Sequence, residues 1–116
     1  DYVLSIQYFN RVISLRPYLY EPWQLRAVAK FYLDDYVGAE ADATKAIGLN
    51  PYISQLFDLR GISRIRQKNF EGAIDDYKKY LRIACRVNPD EVGYVFADQI
   101  PDNIRPEDFW KIVCNE

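Results

Sequence analysis

The sequence predicts an all-α protein, an array of stacked antiparallel helix pairs, and three observations carry that prediction. Residue character returns every 34 residues, the mark of a repeat architecture. Within each unit the apolar residues recur at spacings of three and four, which is helical and unlike the alternation of a strand. Short polar turns and prolines divide the segments, and helices joined by so few residues must return antiparallel.

Pro17 and Pro51 set the register, 34 residues apart. The same offset carries Trp23 onto Phe57, Leu25 onto Leu59, Arg26 onto Arg60 and Ala27 onto Gly61. It continues through Tyr36 and Phe70, Gly38 and Gly72, Ala39 and Ala73, Asp42 and Asp76, Lys45 and Lys79, Ile47 and Leu81, and Leu49 and Ile83. Shifted back, Tyr36, Ala39, Ala43, Ala46, Ile47, Leu49 and Pro51 fall on Tyr2, Ser5, Phe9, Val12, Ile13, Leu15 and Pro17. One domain over 1–116 therefore divides into a half repeat at 1–17, complete repeats at 20–51 and 54–87, and a tail at 88–116.

The half repeat is a single helix. Its Val3, Ile6, Phe9, Val12 and Ile13 form an apolar face whose partner helix is absent, and exposed patches of this sort mark contacts, so self-association through this uncapped helix is expected. In the first complete repeat, Trp23, Ala27 and Phe31 and the series Leu25, Ala29, Leu33 define one helix, with Pro22 suited to its first turn. Asp34-Asp35 makes the turn; Ala39, Ala43, Ala46 and Ile47 define the second helix, which Pro51 stops. In the second repeat Lys68-Asn69 makes the turn, and Ala73, Tyr77, Tyr80 and Leu81 continue it. Here Cys85 replaces the proline, so the helix is expected to run on toward Asn88-Pro89. The tail, punctuated by Pro89, Pro101 and Pro106, has room for short helices over about 91–97 and 106–114. Its Phe109, Trp110, Ile112 and Val113 serve either to cap the last repeat or as a docking motif.

Two recurring features bear on packing. Ala27 or Gly61 in a first helix, with Ala39 or Ala73 in its partner, lets backbones approach closely. Arg26 and Arg60 recur with Asp42 and Asp76, and two readings are open: an Arg–Asp pair between neighbouring helices, within a repeat or across to the next, or solvated side chains.

These residues resemble the tetratricopeptide repeat (TPR), a 34-residue helix-turn-helix unit. Trp23, Leu25, Ala27, Tyr36, Ala39, Ala46 and Pro51 match its pattern; the second repeat keeps Phe57, Leu59, Gly61, Phe70 and Ala73 and departs at Tyr80 and Cys85. The likeness covers residues 2 to about 87. It implies a right-handed α-α superhelix, a TPR solenoid, whose concave face is lined by the first helix of each repeat and takes an extended peptide or partner helix. By position that face would hold Glu21, Gln24, Val28, Phe31 and Tyr32, then Gln55, Asp58, Ile62, Ile65 and Arg66. Spacing agrees independently, since Gln24, Val28, Phe31 and Asp58, Ile62, Ile65 each form an i, i+4, i+7 stripe. The family's Lys and Asn clamp for a chaperone's terminal carboxylate is not matched, because Gln24 with Val28 and Asp58 with Ile62 occupy those places. The expected role is a non-enzymatic scaffold for a protein or peptide partner. The alternatives are a helical-repeat module of a larger enzyme or assembly, and an RNA-binding helical repeat.

Composition narrows the alternatives. With 49% hydrophobic and 28% charged residues the chain is globular, and a net charge of −2 offers no general attraction to nucleic acid or an anionic membrane. Residues 60–86 hold eight Lys or Arg against three acids, while 87–116 hold two against seven; this reads as a solvated basic face beside an acidic tail, with nucleic-acid binding as its rival. No stretch approaches a membrane span and there is no signal core. The chain begins with Asp, lacks Met and starts inside a half repeat, so it reads as a piece of a longer protein. The cytoplasm is the expected compartment, with the periplasm or another open to a signal lying elsewhere.

Catalytic chemistry finds no footing. There is no His, the five glycines are scattered rather than gathered into a phosphate loop, and neighbouring acids such as Asp34-Asp35 and Asp75-Asp76 point apart on or beside helices. Cys85 and Cys114 have no metal-ligand spacing, and whether they pair is a matter of geometry. No cofactor or metal is implied.

Overall fold

The computed structural model describes residues 1–87, with side chains as far as Ala84. It contains five helices, α1 (Tyr2–Leu15), α2 (Tyr20–Tyr32), α3 (Tyr36–Leu49), α4 (Ser54–Arg66) and α5 (Phe70–Val87), and no strand among the described residues. Their limits follow the periodicity. α5 has 18 residues where α3 has 14, because Cys85 stands where Pro51 interrupts the first repeat. The expected capping tail, with Phe109, Trp110 and the question of a Cys85–Cys114 bond, lies outside the described residues.

Each helix packs on the next in sequence, and α2 also touches α4. Partner numbers rise on one helix as they fall on its neighbour. Between α2 and α3, Trp23 meets Lys45, Arg26 meets Asp42 and Phe31 meets Tyr36; between α4 and α5, Phe57 meets Lys79, Arg60 meets Asp76 and Arg64 meets Gly72. Asn10 with Arg26 and Tyr2 with Tyr32 give α1 and α2 the same sense; Glu40 with Arg64 and Thr44 with Arg60 do so for α3 and α4. Consecutive helices are thus antiparallel, and α2 and α4 run in the same direction.

The turn inside each repeat is built the same way twice. Asp34 and Lys68 take the left-handed conformation, with φ of 62° and 63°. The N–H of Asp35 donates to the carbonyl of Lys30 and that of Asn69 to Arg64, while Asp34 and Lys68 donate to Phe31 and Ile65, which closes a Schellman cap on α2 and α4. Asp35 and Asn69 then cap the next helix by accepting from the N–H of Gly38 and Gly72. One side chain ends the turn and starts the helix, so three residues between the helices suffice.

Small residues fill the first repeat's interior: Ala27, Ala39, Ala43 and Ala46 are wholly buried. In the second, Gly61 and Tyr77 replace Ala27 and Ala43, exchanging size between the two helices. A Cβ on Gly61 would come within 3.0 Å of the Tyr77 ring. The glycine therefore makes room for that ring. Leu25 is exposed, and the inward place beside Ala27 belongs to Arg26.

That arginine organises the stack. Arg26 Nε and Nη2 donate to Asp42 Oδ2 and Oδ1, each at 2.8 Å, and its Nη1 reaches back to Asn10 Oδ1 at 2.8 Å. One repeat on, Arg60 Nη2 donates to Asp76 Oδ1 at 2.7 Å and its Nη1 to Thr44 Oγ1 at 3.3 Å. A second cation joins each acid, Lys30 at Asp42 and Arg64 at Asp76. Each guanidinium also lies over its repeat's large aromatic ring, Arg26 over Trp23 at 5.0 Å and Arg60 over Phe57 at 5.7 Å. Three helices meet at each arginine, so the Arg–Asp pairs join helices inside a repeat while the third arm ties the repeat to its predecessor.

α1 differs from its expected orientation. Ile13, read as part of an unpartnered face, is buried, and Ile6, Phe9 and Val12 are half-buried. The residues left open are Leu4, Tyr8 and Leu15, with Val3 and Tyr2 partly so.

Gly61→Leu and Ala39→Leu should each destabilise by about 1–3 kcal/mol through overpacking; unchanged melting of both would contradict the packing described. Asp76→Ala should cost about 3–5 kcal/mol, because it strands a buried guanidinium. Asp42→Ala should cost less, about 1–3 kcal/mol, since Arg26 keeps Asn10 and more solvent. Urea denaturation gives the order, and equal losses would mean that the two networks are not graded by burial.

Candidate functional site

α2 and α4 leave a groove between them. Trp23, Arg26 and Lys30 turn toward α3, which sends Gln24, Val28 and Phe31 to the neighbouring face of α2. With Tyr32 they form one wall of a depression of about 250 Å3, and Gln55, Asp58, Leu59 and Ile62 of α4 form the other. Seven of the ten residues expected on this surface therefore come together.

The other three lie around it. Glu21 is exposed a turn before Gln24, outside the lining. Ile65 is half-buried and also outside it. Arg66 is exposed at the rim, its guanidinium 5.9 Å from the centre of the Phe31 ring. Leu59 is a lining residue that was not among those expected, yet Gln55, Leu59 and Ile62 are themselves an i, i+4, i+7 series, and that signal would have found it.

Aromatic rings close one end. Tyr32 stacks on Tyr2 of α1 with centroids 5.2 Å apart and planes at 16°. Phe31 stands edge-on to Tyr32 at 5.7 Å and to Tyr36 at 5.3 Å. Tyr2 sits far from the groove residues in sequence, and no local pattern connects it to them. The Tyr36 hydroxyl donates to Asp34 Oδ1 at 2.9 Å, and this bond to a carboxylate holds its pKa above the usual phenol value.

The groove also has a direction. α2 and α4 are parallel, so Glu21, Gln24, Gln55 and Asp58 gather where both helices begin, and Arg66 with the aromatic rings gathers where they end. Asp58 adjoins the core: burial pushes the Tyr77 phenol far above its usual range, and the negative charges of Asp58 and Asp76 push the same way.

These groups can hold a ligand by apolar contact, stacking and hydrogen bonds; the lining contains no nucleophile with a base beside it. Among the described residues no three His, Cys, Asp or Glu side chains gather as a metal site, and no helix is long and apolar enough to cross a membrane. Compared with known proteins, the chain matches no family model and has no similar curated relative.

Because the folded-state pKa of Tyr77 lies above the unfolded value of about 10, its neutral phenol contributes fully below that pH and its contribution is lost as pH rises beyond it. Relative to Tyr77→Phe, the native chain should therefore lose about 1.4 kcal/mol of stability per pH unit above pH ~10. Parallel stability curves from pH 9 to 11 would show that the phenol does not titrate differently on folding.

Proposed function

We propose that the chain is a tetratricopeptide-type, non-enzymatic protein-binding module, its helix pairs winding into a superhelix whose groove between α2 and α4 seats a segment of a partner protein. The observation that carries this reading is the different use of corresponding positions in the two repeats. Positions that hold the stack are kept, as Arg26 and Arg60, Asp42 and Asp76, or Trp23 and Phe57 illustrate. On the faces of α2 and α4 expected to line the concave surface, Gln24 becomes Asp58, Phe31 becomes Ile65 and Tyr32 becomes Arg66, while Val28 and Ile62 stay apolar. A surface relieved of holding the repeat together is free to match a ligand. Its apolar centre, Val28, Phe31, Leu59 and Ile62, supplies anchoring, and its polar ends supply orientation.

A protein partner accounts for the charges better than nucleic acid does. Arg60 and Arg64 of the basic stretch are bound to Asp76, Arg64 also to Glu40, and Lys79 lies over Phe57. Arg60 and Arg64 are thereby committed within the fold and are not available to a phosphate backbone.

The reading is tested by placing a photo-crosslinking residue at Tyr32 and, separately, at exposed Glu71 on α5. Adducts from the first position should map to one continuous segment of a partner and be absent from the second. Tyr32→Glu and Ile62→Glu should each weaken capture of that partner tenfold or more, by about 1.4 kcal/mol or more. Equal adducts from both positions, or capture indifferent to both substitutions, would move the site away from the groove.

A further inference from the structure

Arg66 differs from the other arginines of α2 and α4. It is exposed at the end of the groove where both helices finish, and its guanidinium lies 5.9 Å from the centre of the Phe31 ring, so a side chain of one wall reaches the other. Two further guanidinium groups lie over rings, Arg26 over Trp23 and Arg60 over Phe57, and each also holds a carboxylate, that of Asp42 or Asp76. Arg64 is bound to Glu40 and Asp76. Among the described residues no carboxylate comes within ion-pair distance of Arg66. Asp34, whose charge acts on Tyr36 together with that of Arg66, accepts from the Tyr36 hydroxyl instead.

The surroundings of Arg66 suit it to a carboxylate brought by a ligand. A guanidinium over a ring loses water from one face and keeps its planar edge of N–H donors, which matches a carboxylate with two parallel hydrogen bonds. The rings of Phe31 and Tyr32, set edge to face beside it, lower the local polarity and so strengthen such a pair. Glu21, exposed where the helices begin, gives the opposite end the opposite charge.

Spacing adds a second requirement. Ile62, which lines the apolar centre with Val28 and Leu59, precedes Arg66 on α4 by about one turn, a rise of about 6 Å. In an extended chain alternate side chains share one side and lie about 6 to 7 Å apart. Residues of an extended segment that rest on Ile62 and on Arg66 are therefore two apart in its sequence.

We infer that the groove selects an extended acidic segment, in which an apolar side chain rests on Val28, Leu59 and Ile62 and an aspartate or glutamate two residues away pairs with Arg66. This rests on the groove being the binding site and adds the chemistry of its occupant.

A phage-displayed library of random peptides, fused so that none has a free C-terminal carboxylate, should yield against the 116-residue chain peptides with an acid at that spacing from an apolar residue. Panned in parallel, Arg66→Glu should enrich Lys or Arg at the same place, and Arg66→Gln neither charge. Changing the acid of an enriched peptide to its amide should weaken binding to the native chain about three- to tenfold, read by fluorescence polarisation, and leave binding to Arg66→Gln unchanged. Arg66 is exposed, so these variants should keep the fold, which circular dichroism verifies. Peptides that are lost with Ile62→Glu but show no preference for an acid, or keep that preference with Arg66→Glu, overturn the inference alone. Peptides that bind a folded Ile62→Glu as well as the native chain, or no enriched peptide at all, overturn the groove reading with it.

Discussion

A guanidinium taken out of water must find partners for its N–H groups, and Arg60, 8% exposed, finds them on two other helices at once. Asp76, with no exposure at all, has the reciprocal need and meets it with Arg60 and Arg64. Neither charge can shift along its helix without leaving the other buried and uncompensated. Apolar faces tolerate sliding, whereas this arrangement does not, and the contacts among α3, α4 and α5 are held in one register. Arg26 repeats the device among α1, α2 and α3.

The groove inherits its geometry from these anchors. Because Arg26 and Arg60 occupy corresponding turns of α2 and α4, the two helices present corresponding turns to each other. The remaining contacts across the groove are few, and α2 and α4 touch over only part of their length. Arg64 and Gln67, both bound to Glu40, brace α4 against α3 from behind. Side chains on the groove face are consequently relieved of structural duty, which is why a tyrosine can stand where the next repeat has an arginine.

The corresponding positions of the ladder are not all alike. Asn10 and Thr44 accept the third arm of an arginine from the following unit, and the next residue in that series is Lys78, a donor with no lone pair to offer. At the other end Tyr8 takes the place of Asp42 and Asp76. Among the described residues the Arg–Asp network joins α1 to α5 through the two full repeats.

Much of this protein is written in local pattern. The 34-residue return, the helix limits, the turns at Asp34 and Lys68 and seven of the groove residues could be read from the sequence, because helical spacing decides which side chains share a face. Spacing is silent about which neighbour a face meets. α1 has apolar side chains around most of its circumference, so its pattern alone did not tell that Ile13 turns inward while Leu4, Tyr8 and Leu15 remain outside. The choice of Arg26 over Leu25 for the inward place, the room that Gly61 leaves for Tyr77, and the stacking of Tyr2 on Tyr32 each depend on groups 16 to 30 residues apart. Such contacts come into being only when helices are laid side by side, where close packing and the need to pair buried charge select one arrangement from several that the periodicity allows.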